Sequence, residues 1–175
     1  GNTFSSWNVS NISANWNSYS SLSVNNNGSL IAIGNPNANA TPQNPNGEGN
    51  ATIYHWDGNS MIQLGNVIEH EPFEYSFGAS ISLSNNGEIV AIGAIQNDYN
   101  GTSAGRVGVY EFENNAWNQI GDNIYGSNTW DMFGGAVSIN GSGEIVAVGA
   151  QYGGDCGHNS SYHGPGYVRV YSINS

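Results

Sequence analysis

The stretch Phe77-Gly78-Ala79-Ser80-Ile81-Ser82-Leu83-Ser84-Asn85-Asn86-Gly87-Glu88-Ile89-Val90-Ala91-Ile92-Gly93-Ala94 decides the fold, because near copies stand on both sides of it. Ser21-Leu22-Ser23-Val24-Asn25-Asn26-Asn27-Gly28-Ser29-Leu30-Ile31-Ala32-Ile33-Gly34 precedes it. Phe133-Gly134-Gly135-Ala136-Val137-Ser138-Ile139-Asn140-Gly141-Ser142-Gly143-Glu144-Ile145-Val146-Ala147-Val148-Gly149-Ala150 follows. Each copy reads as a β-hairpin. An alternating apolar run such as Ile81 and Leu83 meets an Asn-Gly or Ser-Gly turn, where glycine supplies the positive φ, and a near-continuous apolar run follows. Alternation implies one wet face and continuity implies cover on both, so the second strand is expected to lie deeper than the first. The copies begin at Ser21, Ser80 and Ala136, 59 and 56 residues apart. Self-similarity near that period marks propellers and solenoids.

Working outward, each hairpin leads through a Gly, Asn and Pro-rich loop into a third strand, and in two repeats into a fourth. The first repeat gives residues 51–56 and, past Asp57-Gly58, residues 61–65; the second gives 106–112 and 116–121. The third has a strand at 167–173 and then the chain stops, so its fourth strand is missing. No stretch sustains a helical period. The expected fold is therefore all-β, with three four-stranded antiparallel propeller-type blades at about 21–76, 77–132 and 133–175. Residues 1–20 form a lead-in with Phe4, Trp7, Val9 and Ile12 at apolar positions. It has the length and pattern of a strand that completes the last blade.

Three blades fall short of the four to eight that close a ring. The unblunted edge of the third blade at Tyr171 and Ile173 is a template for pairing. These features predict β-strand exchange, in which the lead-in of one protomer adds to the last blade of a neighbour and builds a homo-oligomer or filament.

Composition narrows the partners. Thirteen acidic residues face only Arg106 and Arg169, and there is no lysine, giving a formal net charge of −11. A phosphate backbone would be repelled, which excludes nucleic acid. No apolar run is long enough to cross a bilayer, and no charged-then-apolar leader opens the sequence, so a mature or trimmed chain without membrane insertion is expected. Charged residues are only 9% of the chain, and the polar surface rests on amides and hydroxyls, as suits a secreted or cell-surface protein. Asn8, Asn11, Asn27, Asn39, Asn50, Asn100, Asn140 and Asn159 each begin an Asn-x-Ser/Thr sequon. Part of that set is expected from the asparagine content alone.

Phe77-Gly78 with Gly93-Ala94, and Phe133-Gly134 with Gly149-Ala150, resemble the FG-GAP repeat of β-propeller blades found in integrin α-chain heads and in microbial secreted or surface proteins. The fuller pattern, with residues 106–112 reading RVGVYEF and 117–121 reading WNQIG, is similar to the microbial type. The first repeat departs from it, with Tyr19-Ser20 in place of Phe-Gly and Asn35-Pro36 in place of Ala-Pro. The resemblance implies an extracellular adhesive or scaffolding role. It also implies calcium in the loop holding Asn97, Asp98 and Asn100, but that loop offers one carboxylate where calcium usually takes several, and an Asx/Gly turn accounts for it better.

The remaining chemistry is sparse. Cys156 is the only cysteine, in an exposed-type loop with His158 and His163, and an intermolecular disulfide or a metal site are its functional readings. Residues 69–74, with Glu69, His70, Glu71 and Glu74, could furnish a glycosidase carboxylate pair but read as a solvated connector between blades. No nucleophile elbow, phosphate loop or zincin helix occurs. The expectation is no enzyme and no cofactor. Tyr99, Tyr152 and Tyr162 in loops could stack on sugar rings, which makes a carbohydrate- or protein-binding propeller the alternative function, whereas Trp56 and Trp117 are expected to pack between blades.

Overall fold

The computed structural model describes residues 20–42, 47–71, 74–154 and 164–173. The lead-in residues Phe4, Trp7, Val9 and Ile12, the sequons at Asn8, Asn11 and Asn159, and Cys156 lie outside the described residues. The chain is all-β, with three antiparallel sheets arranged as propeller-like blades and no helix among the described residues.

Blade 1 holds β1 (Ser21–Val24), β2 (Leu30–Asn35), β3 (Asn50–Trp56), β4 (Met61–Gln63) and β5 (Ile68–Glu69). Blade 2 repeats the plan with β6 (Phe77–Leu83), β7 (Ile89–Ala94), β8 (Arg106–Glu113), β9 (Ala116–Gln119) and β10 (Ile124–Tyr125). Blade 3 holds β11 (Phe133–Ile139), β12 (Ile145–Ala150) and β13 (Tyr167–Ser172). The order of the first three strands in each blade is that of the sequence.

The fourth position differs from expectation. It is two short strands rather than one. β4 pairs with the far end of β3 and β5 with its start, and β9 and β10 divide β8 in the same way. The second piece falls in a segment that reads as a link between blades. The β8–β9 turn has Asn114 and Asn115 at φ 54° and 62°, the two left-handed positions a tight hairpin requires and asparagine tolerates.

The Phe-Gly signature has a physical role. Phe77 pairs with Ala94 and Ser80 with Gly93, so Gly78 and Ala79 bulge out between them; Phe133 and Ala136 frame the same irregularity in blade 3. The bulge drops each phenylalanine into an interblade core, where both are fully buried. One core joins blades 1 and 2 through Ala51, Ile53, Ile81, Leu83, Val90 and Ile92. The other joins blades 2 and 3 through Val107, Val109, Phe133, Val146 and Val148. As expected, Trp117 packs between blades, its Nε1–H donating to the Leu64 carbonyl at 2.9 Å.

Candidate functional site

The registers make Leu22, Ile81 and Val137 equivalent, and likewise Val24, Leu83 and Ile139, because each precedes its hairpin turn at the same distance. In blade 2 this face is pressed on blade 1, and Ile81 and Leu83 are each 7% exposed. In blade 1 the same face looks outward, with Leu22 59% and Val24 55% exposed. The third strands show the converse. Ala51 and Ile53 of blade 1, and Val107 and Val109 of blade 2, are covered by the following blade and at most 5% exposed. Their equivalents in blade 3, Val168 and Val170, are 69% and 66% exposed. The array thus ends in two bare apolar faces, each matching one half of its own internal interface.

Hydrogen bonds stitch those interfaces in a repeating order. Ser21 Oγ donates to the Gly78 carbonyl at 2.8 Å, and Ser80 Oγ to the Gly134 carbonyl at 2.7 Å. The Leu83 N–H donates to Ser23 Oγ at 2.9 Å, and the Ile139 N–H to Ser82 Oγ at 3.1 Å. At the turns, the Asn26 N–H donates to the Asn85 carbonyl at 3.1 Å and the Asn85 N–H to that of Gly141 at 3.0 Å. Each bond joins one blade to the next, which fixes sliding as well as separation.

Residues 69–74 are not merely a solvated connector, as the sequence suggests. Glu74 is buried and holds Arg106, itself fully buried, through a two-pronged contact from Nε and Nη2, the latter at 2.8 Å. Arg106 Nη1 also donates to Asn123 Oδ1, and the Glu71 N–H donates to Glu74 Oε2 at 2.8 Å. Burial alone would lower the guanidinium pKa, but Glu74 more than offsets this and raises it. Burial also pushes the neighbouring Tyr110 phenol up to about 12, with Arg106 opposing. Blade 3 answers with Asp131, buried before Phe133, which accepts from Tyr167 O–H at 2.7 Å and from the N–H groups of Ser127 and Asn128 at 3.0 Å. Burial and then this hydrogen bond raise the Tyr167 pKa. Arg106 and Tyr167 hold the same register position, so both clamps pin an interblade link to the first residue of a third strand. A carboxylate locked in this way serves the frame, and sequence inspection missed it because donor and acceptor are far apart in the chain.

In the loop read for calcium, Asn97 is buried and its Oδ1 accepts from the Tyr99 N–H at 3.1 Å, while Asp98 Oδ1 accepts from the Ser103 N–H at 2.7 Å. Asn100 Nδ2 donates to the Gly126 carbonyl at 3.2 Å. The first is an Asx-turn contact, and the other two close the loop on itself and onto the link that follows blade 2. No group of three or more potential metal-binding His, Cys, Asp or Glu side chains occurs among the described residues. Asn27, Asn39, Asn100 and Asn140 are exposed and Asn50 is half-buried within β3. Tyr99 is largely exposed and stacks on Tyr125 with ring centres 4.7 Å apart. Trp130 is exposed beside the same loop, at φ 68°, its N–H donating to the Thr102 carbonyl. Tyr171 and Ile173 turn inward to the core between blades 2 and 3, leaving Val168 and Val170 as the outward side chains of the last strand.

No family model matches the chain, and no curated protein matches it in sequence. In fold it is similar to Kuenenia stuttgartiensis hydrazine synthase, at TM-score 0.53 and 13% identity over 87% of this chain and 33% of that one. It is similar also to the complex of KlAtg21 with the coiled coil of AgAtg16 (TM-score 0.52, 13% identity, 88% and 39% covered) and to U3-55K (0.50, 10%, 85% and 41%). The chain spans 33% to 41% of the solved chains it resembles. At these identities the likeness concerns the fold alone.

Proposed function

We propose that the chain is a structural module of the FG-GAP type that associates with further copies of itself through its open ends, in an extracellular setting. One observation carries this reading: Leu22 and Val24 at one end, and Val168 and Val170 at the other, are bare where their equivalents inside the array are covered. Apolar strand faces presented in this way mark interaction surfaces. β13 adds an edge without a fourth strand among the described residues, where blades 1 and 2 each carry two short ones. The lead-in, through Phe4, Trp7, Val9 and Ile12, is the segment assigned to that edge by strand exchange. Sedimentation of the intact chain, of Val170→Asp and of a form lacking residues 1–16 tests the proposal. Association is expected for the first and loss of it for the other two. A monomeric intact chain at high micromolar concentration overturns it. Glycosylation belongs to the same reading, at the exposed sequons of Asn27, Asn39, Asn100 and Asn140, and a mass shift on deglycosylation of protein secreted from a eukaryotic host checks it.

A second reading rests on the Tyr99–Tyr125 stack with Trp130 beside its loop. Exposed rings held in place by packing suit a carbohydrate-binding site. Binding on a glycan array that is lost in Tyr99→Ala supports it.

A further inference from the structure

Resting on the glycosylation just proposed, we infer that a glycan on Asn100 is a structural part of blade 2, its first sugar lying on the outward face of the Tyr99 ring. Asn100, Gly101 and Thr102 form the sequon. Asn100 and Thr102 are both exposed, so the amide and the hydroxyl that the modification requires stand in solvent. In the transfer, Asn100 Nδ2 attacks C1 of a sugar carried on a lipid diphosphate. An N–C bond forms, the diphosphate leaves with the electron pair of the C1–O bond, and one amide proton is released. The second amide N–H remains.

That nitrogen already sits beside the rings. Asn100 Nδ2 donates to the Gly126 carbonyl at 3.2 Å, and the N–H kept after transfer can serve the same bond. Gly126 follows Tyr125, whose ring stacks on Tyr99 with centres 4.7 Å apart and planes 20° from parallel. Attachment atom and ring pair are therefore gathered in one place. Tyr125 takes one face of Tyr99, yet Tyr99 is 70% exposed, which leaves its other face to solvent. A pyranose presents a row of C–H groups on its flatter side, and these rest favourably on the negative face of an aromatic ring. A sugar tethered one residue away meets that ring at a high effective concentration.

The platform is braced before any sugar arrives. The Ser103 N–H donates to Asp98 Oδ1 at 2.7 Å, and the Gly105 N–H to the Asn97 carbonyl at 3.1 Å, closing the loop across its neck. The Trp130 and Met132 N–H groups donate to the Thr102 and Ser103 carbonyls at 2.8 and 3.0 Å, which fastens the loop to the next link. The middle residue of the sequon is held to glycine, because its φ is 128° and a Cβ there would stand 2.5 Å from Thr129 Oγ1. Two other exposed sequons are engaged differently. Asn27 Oδ1 accepts from the N–H and hydroxyl of Ser29, and Asn140 bonds to Ser142 Oγ and the Ile145 N–H, so both side chains close their own hairpin turns.

The experiment uses the full chain secreted from a eukaryotic host, with occupancy read by peptide mass mapping and the glycans trimmed to one N-acetylglucosamine. The expected result is an acetyl methyl proton resonance that vanishes in Thr102→Ala, is displaced upfield by the ring current of Tyr99, and returns to its usual position in Tyr99→Ala. Thr102→Ala removes the sugar and leaves the Asn100 amide in place, and is expected to lower the thermal midpoint by about 2–4 °C. In a Tyr99→Ala background the same substitution is expected to leave the midpoint unchanged. An occupied Asn100 with an unshifted resonance, or an equal fall in both backgrounds, overturns the stacking and leaves glycosylation standing. Occupancy of other sequons with Asn100 bare does the same. No occupancy at any sequon overturns both. Binding of free glycan by the unglycosylated chain, lost in Tyr99→Ala, overturns the stacked tether and assigns the rings to the second reading.

Discussion

Blades 2 and 3 have nearly the same second strand, Ile89–Ala94 as IVAIGA and Ile145–Ala150 as IVAVGA, and third strands of the same alternation. Their surroundings are opposite. Val109 lies under blade 3, whereas its counterpart Val170 faces outward. Gly93 is pressed against an incoming carbonyl, whereas Gly149 borders a groove. Blade 2 clamps its link with a charged pair, Glu74 and Arg106; blade 3 uses Asp131 with the hydroxyl of Tyr167. Position in the array, more than strand sequence, sets what each residue does.

One charge placed at each of the paired valines separates the covered face from the open one most strongly. Val109→Asp buries an unpaired carboxylate and is expected to cost about 5 kcal/mol or more, enough to abolish the cooperative unfolding transition. Val170→Asp is expected to shift the stability of the separated monomer by less than ~0.5 kcal/mol while abolishing association. Urea titration of both variants decides it, and equal losses would remove the distinction between covered and open faces.

Next come the two clamps. Glu74→Ala strands a fully buried guanidinium and is expected to cost about 3–5 kcal/mol, while Asp131→Asn, which faces a neutral hydroxyl and backbone donors, should cost about 1–2 kcal/mol. Thermal unfolding of the pair, at one concentration below association, measures the gap.

Burial of Tyr110 beside this clamp creates an alkaline limit. Tyr110 is pushed up from 10.0 to about 12, so its neutral form is favoured in the folded chain. Above pH 10 the unfolded chain releases this proton and the folded chain keeps it, so the contribution is complete below pH 10 and fades as pH rises to 12. The loss amounts to ~3 kcal/mol by linkage. Stability of Tyr110→Phe should fall less steeply across that window, and tyrosinate absorbance should show one ring titrating near pH 12.

The smallest effect separates the serines. Ser80→Ala removes the hydroxyl that holds the Gly134 carbonyl and should cost ~1 kcal/mol in the monomer. Ala136→Ser, at the equivalent place in blade 3, should change monomer stability by less than ~0.5 kcal/mol.

Much of the frame was legible in the sequence. The hairpins at Ser21, Ser80 and Ala136, the depth of the second strands and the interblade place of Trp117 follow from local pattern. Less legible were the second pieces of the fourth strands: Ile68–Glu69 and Ile124–Tyr125 are too short to show a period, and exist because the start of β3 or β8 still offers unpaired backbone. Glu74 looked solvated for a related reason. Its run of acids signals water, and only the return of Arg106 turns one of them inward. Tyr171 and Ile173 face the core between blades 2 and 3 while Val168 and Val170 of the same strand face outward, a division that the alternation gives only once the side carrying the neighbouring blade is known.

Repeat period, alternation and turn chemistry, all carried within a few residues of one another, determined that this chain would form antiparallel blades in series. Which faces of those blades are dry was decided only in three dimensions. A valine in a strand reads alike whether or not another sheet lies over it, because cover comes from the next blade, as Ile139 covers Val109 from about thirty residues on, and where the described residues place no blade over the strand its counterpart Val170 faces water.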